Sequence, residues 1–176
     1  MDTLTQDAFI DWETRVAAVW KVADALTPQE LVRTIDALAA ERPVDDPFAL
    51  FERACARDTA GIEDGAEPLY RAALASGALD PYRHARASIQ LGSTLRHLGR
   101  LAESERLLLA QLERCKAEGP GAALHDEVRA VLAFTWIAQG RTLEAAALAL
   151  LTLAPHLSRY NRSLAANARA LTRPAG

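Results

Sequence analysis

The sequence predicts an all-α fold of stacked antiparallel helix pairs, and three observations carry that reading. Alanine makes up roughly a fifth of the chain, and it both favours helix and lets helices approach closely. No run of alternating β-branched residues reads as a strand. Gly61, Gly99 and Gly140 interrupt helical patterns at spacings of 38 and 41 residues, and repeats of that length mark stacked helical arrays. At 176 residues one domain is expected. Within it, residues 1–45 would be N-terminal capping helices, 46–155 three repeated units, and 156–176 a C-terminal capping helix.

The elements follow in order. Residues 3–26 read as one long amphipathic helix, with Phe9, Trp12, Val16, Val19, Ala23 and Leu26 on one seam that Trp20 and Val22 widen. Asp7, Asp11 and Glu13 are placed near its positive end. That aromatic seam is expected to cap the stack in preference to forming a homodimer. Thr27-Pro28-Gln29-Glu30 is a capping box with proline at the first helical position, flanked by Leu26 and Leu31 as a staple. The helix it starts runs to about Glu41, and Pro43 ends it. Asp46-Pro47 starts a helix to about Thr59, and Glu63 to Ser76 forms the next. Asp80-Pro81 starts a helix to Leu98, and Leu101 to Ala117 returns. Gly119-Pro120-Gly121 is a loop. Helices over 124–139 and 142–153 follow, Pro155 breaks the pattern, and Ser158 caps a last helix before a fraying tail from Arg173 to Gly176.

The stretch from Gln90 to Leu112 carries the clearest unit. Leu91-Gly92, Leu95, Leu98-Gly99, Glu103-Ser104 and Leu108 recur in weaker form as Leu132-Ala133, Trp136, Gly140, Glu144-Ala145 and Ala149. Ala54, Gly61, Ala66, Tyr70 and Ala73 form a further echo, with Arg57 in the aromatic position. The spacing is one of packing: Ala54, Gly92 and Ala133 are small where a second helix crosses the first, one turn from Leu95 and Trp136. These residues resemble the tetratricopeptide repeat, over roughly 46–155. The units are longer than the family's usual ones, so extended loops are expected. The resemblance implies a right-handed superhelical stack, an α-solenoid, and a non-catalytic scaffold that binds proteins or peptides on its concave face.

That face, carried over by register, comprises Phe48, Phe51, Cys55 and Asp58 in the first unit. In the second it comprises Arg86, Ile89, Ser93, Arg96 and His97, and in the third Glu127, Ala130, Phe134 and Ile137. Cys55, Gln90 and Val131 stand where some family members carry part of a Lys/Asn carboxylate clamp, so chaperone C-termini are not the expected ligand. A face apolar at its ends and cationic in its middle suits an acidic amphipathic segment.

Charge is divided unevenly. Residues 1–80 carry 7 Lys/Arg and 16 Asp/Glu, whereas 81–176 carry 13 and 7. A helical repeat that binds nucleic acid through its basic half is therefore the alternative. Arg83, Arg86, Arg96, Arg100 and Arg106, with Arg159, Arg162, Arg169 and Arg173, would carry it. The isoelectric point near 5.8 and the lack of interleaved aromatics weigh against it. Phosphate-loop, HExxH, GxSxG and GxGxxG patterns are absent. His84, His97, His125 and His156 lack metal-ligand spacing, so no enzyme, cofactor or metal is expected. Cys55 and Cys115 read as buried free thiols. The start MDTLTQDAF is not a signal peptide, and the apolar run 145–154 is too short to span a bilayer. A soluble cytoplasmic protein is the expectation.

Overall fold

A computed structural model describes residues 3–118, 122 and 124–173. Among them are nine α-helices and no strand. The expected loop at Gly119-Pro120-Gly121 and the last three residues of the expected tail lie outside the described residues. The chain divides into two compact units, Met1–Leu79 and Asp80–Gly176.

The first unit holds α1 (Thr3–Lys21), a 3-10 turn (Ala23–Ala25), α2 (Pro28–Ala39), α3 (Pro47–Thr59) and α4 (Glu63–Ala75). The long helix expected to reach Leu26 stops at Lys21. The chain must reverse before Pro28, which holds Thr27 extended, and the tighter 3-10 turn accomplishes this without a glycine. Nor do Asp7, Asp11 and Glu13 lie in the first turn of α1; Asp11 instead pairs with Arg15 at 2.9 Å. The capping box at Thr27 forms as expected, with the Glu30 amide donating to Thr27 Oγ1 and the Thr27 amide to Glu30 Oε2.

The aromatic seam of α1 packs within this unit, with Trp12 buried and Phe9 and Trp20 half-buried, whereas Val22, expected to widen it, is exposed. Phe9 meets Phe48 edge-on with ring centroids 5.0 Å apart. Trp12 Nε1 donates to the Leu38 carbonyl at 2.8 Å, and Trp20 Nε1 to Glu52 Oε2 at 2.6 Å. Trp12, Val16, Leu31, Ile35, Ala39, Ala49 and Ala56 form the core beneath it. Thus α1 packs on α2 and also reaches α3, the relation that α5 has to α6 and α7 in the second unit.

The second unit holds α5 (Pro81–His97), α6 (Leu101–Glu118), α7 (His125–Ala138), α8 (Thr142–Leu153), a 3-10 turn (Ala154–His156) and α9 (Asn161–Ala170). Each helix packs on the next, and α5 also touches α7. Ile89, Leu108, Val128 and Leu132 form its core. Ser158 does not cap α9; Tyr160 precedes it in a left-handed conformation, with no side-chain cap.

The repeated glycines end the first helix of each pair in the same way. At Gly99 the backbone turns left-handed (φ 73°), and the Arg100 amide reaches back to the Leu95 carbonyl at 2.8 Å. This 6→1 bond defines a Schellman motif, whose left-handed residue favours glycine. Ile62 to Arg57 and Arg141 to Trp136 repeat it at 2.8 Å. At the helix crossing, a Cβ on Gly92 would stand 2.8 Å from Leu108 Cδ2. Ser104 Oγ donates to the Gly92 carbonyl at 2.7 Å and lies 2.9 Å from Thr135 Oγ1, so α5, α6 and α7 meet at one buried polar point.

Candidate protein-binding surface

The rotation of α5 is set at its start. Asp80 caps the helix, accepting from the Arg83 amide at 2.9 Å, and Pro81 occupies the first position. Ala85, Ser88, Ile89, Gly92 and Leu95 then face the core, leaving Tyr82, Arg86, Ser93, Arg96 and His97 on the outer side. On α7, burial of Val128, Leu132 and Thr135 turns Glu127, Ala130, Phe134 and Ile137 to solvent.

The two stripes meet at Arg96. Its guanidinium carbon lies 5.8 Å from the centroid of the Phe134 ring. Nη2 donates to His97 Nε2 at 2.7 Å and lies 3.4 Å from Ser93 Oγ. Arg96 Nε is buried with no hydrogen-bond partner. Among the described residues no carboxylate pairs with Arg96. Arg100, by contrast, is closed on Glu103 at 2.7 Å, and Arg141 on Glu105 and Glu144 at 2.6 and 2.8 Å. Phe134 is 58% exposed and Ile137 51%, one helical turn apart. At the other end of α5, Tyr82 is 52% exposed and lies 6.0 Å from the Arg86 guanidinium.

The expected face is thus only partly assembled. Arg96, Ser93, His97 and Phe134 come together, with Ile137 beside them. Phe51 does not line a groove: it is 0% exposed and packs against Tyr70 at 6.3 Å. Ile89 is 9% exposed and belongs to the core of the second unit, and Cys55 is also buried. Phe48 is half-buried against Phe9. In each case the apolar side chain is withdrawn into packing that the outer stripe does not share.

Sequence reasoning missed Tyr82, although its spacing of four from Arg86 placed both on one side of a helix that begins at Pro81. It also missed a network at Glu105 on α6. That carboxylate accepts from Trp136 Nε1 at 2.8 Å, Gln139 Nε2 at 2.9 Å and Arg141 Nη1 at 2.6 Å. Arg141 in turn lies over the Trp136 ring at 4.6 Å. Burial pushes the Glu105 carboxyl up, but these donors outweigh it and hold the group below the usual carboxylate range.

Stacked helix pairs with repeated turns and small crossing residues define a helical-repeat protein. The family model described as the tetratrico peptide repeat matches residues 47–171, and the chain belongs to that family. No curated relative and no solved structure matches it. Among the described residues no His, Cys, Asp and Glu cluster could hold a metal, and no helix is long and apolar enough to cross a membrane.

Proposed function

We propose that this chain is a non-catalytic protein-interaction scaffold, working in the cytoplasm, whose second unit holds an acidic amphipathic segment across α5 and α7. The observation that carries the reading is Arg96: a cation lying on an exposed phenylalanine, with a buried Nε that has no acceptor and no carboxylate beside it. Leaving such a donor unsatisfied costs about 1–3 kcal/mol, which favours turning the guanidinium outward onto a ligand carboxylate. Phe134 and Ile137 supply an apolar ledge one turn long for a neighbouring side chain of the same ligand.

A labelled peptide with a Leu-Ala-Glu-Ala-Leu core, followed by fluorescence anisotropy, tests this. Binding to the intact chain is expected to fall at least about tenfold, or 1.4 kcal/mol, in Arg86→Glu with Arg96→Glu. The melting temperature is read in parallel, because both arginines are half-buried and a large fall would mark an effect on folding instead of on capture. Phe134→Ala weakens capture in the same assay. Equal binding of a lysine-for-glutamate peptide sinks the reading.

A further inference from the structure

A second surface, independent of the α5–α7 face, surrounds the start of α9. Over residues 145–176 the sequence has no Asp or Glu, and it carries Arg159, Arg162, Arg169 and Arg173. All four arginines are exposed. Elsewhere in this unit Arg100 and Arg141 are closed on glutamates. Among the described residues no carboxylate pairs with any of the four. They set up a local positive field on a chain whose net charge is −3.

Tyr160 stands among them, between Arg159 and Arg162. Its backbone is left-handed (φ 63°), a conformation that a bulky residue adopts at a cost glycine avoids. Leu124, in the same position ahead of α7, shares it (φ 59°). There the side chain packs against the core of Ile89, Leu108, Val128 and Leu132, and burial offsets the strain. The Tyr160 ring is 78% exposed, and among the described residues neither ring nor hydroxyl has a ring contact or hydrogen bond. The fold therefore gains little from a tyrosine at this turn.

We propose that the turn from Arg159 to Arg162, with the arginines of α9, binds single-stranded nucleic acid. One base stacks on Tyr160, and the phosphates on either side meet Arg159 and Arg162. Arg162 and Arg169 are seven residues apart, two helical turns or about 10.5 Å along α9. Both border the shallow cleft between α8 and α9, so they continue the phosphate track on one side of the helix. At this turn an aromatic does interleave with arginines, and the low isoelectric point owes most to the 16 Asp/Glu of residues 1–80. A lipid surface fits less well. The other exposed residues of α9, Asn161, Ser163, Ala166, Asn167 and Ala170, are small or polar and offer nothing to insert.

The test is fluorescence anisotropy of a labelled oligo-dT of about 12 nucleotides with the full chain, between about 25 and 200 mM salt. Three or four phosphate contacts predict a slope of about −2 to −3 in log affinity against log salt. Arg162→Gln with Arg169→Gln should weaken binding and make that slope shallower by about 1.4. Tyr160→Gly removes the ring and suits the left-handed turn, so it should melt no earlier than the wild type. At fixed salt it should bind roughly tenfold or more weakly, the effect of one lost stacked base, with the slope unchanged. Tyr160→Phe keeps the ring and should bind as the wild type does. No binding at the lowest salt overturns the proposal. So does a Tyr160→Gly variant that binds as tightly as Tyr160→Phe, or a slope that the arginine changes leave untouched. A poly-glutamate peptide of equal charge that displaces the oligonucleotide at equal concentration overturns it in favour of an acidic protein segment.

Discussion

Gly92 shows how little room the helix crossing leaves. Alanine there gains about 1 kcal/mol of helix propensity, yet its Cβ would press on the fully buried Leu108. Overpacking of this kind costs about 1–3 kcal/mol. Gly92→Ala is therefore expected to lower stability in urea melts, and Leu108→Ala in the same chain to remove the clash while opening a cavity. An unchanged midpoint in Gly92→Ala would show that the two helices can spread. Phe51, fully buried against Tyr70, should cost about 3–5 kcal/mol on truncation to alanine. The small residues at crossings were legible in the sequence, because a glycine between leucines in a helical pattern has few other uses. The division of Phe51 from Phe134 was not. Both are aromatic and both lie on first helices of their pairs, and only the neighbouring helices determine which one is covered.

At the scale of elements, the joint between α6, α7 and α8 depends on Glu105. Glu105→Gln keeps the shape but removes the charge that Arg141, Gln139 and Trp136 point at, and should cost about 1–3 kcal/mol. The pH dependence follows from the sign of the shift. The folded carboxyl is held below its unfolded value of about 4.3, so the stabilisation is complete above that pH and is lost as pH falls through the folded value. Wild-type stability should therefore drop more steeply than that of Glu105→Gln between about pH 5 and pH 3, measured by thermal melts. Helix starts at Thr27-Pro28, Asp46-Pro47 and Asp80-Pro81 were plain from sequence, since capping and proline act within four residues. The end of α1 and the start of α9 were not. No glycine marks the former, and the latter follows Tyr160, a left-handed non-glycine residue with no capping signature.

At the scale of the molecule, α1 covers Leu31 and Ile35 with its aromatic seam. Deleting residues 1–26 should lower the melting temperature by at least about 3 °C, the shift that a loss of 1 kcal/mol or more produces in a chain of this size. A soluble, equally stable product would show that the seam is dispensable. The repeated turns have a consequence for rebuilding the chain. Gly99 and Gly140 leave their helices through the same bond, each followed by an arginine that pairs with a glutamate three residues on. Residues 100–140 are therefore a cassette whose two ends are the same joint. Spliced in a second time after Gly140, that segment would place Arg100 where Arg141 stands and hand the chain back through an identical turn. In an array held together by neighbour contacts, stability sums over the units. The lengthened chain should therefore gain helical signal in proportion to its added residues without melting earlier, growing the way a wall grows, by one more course of the same brick.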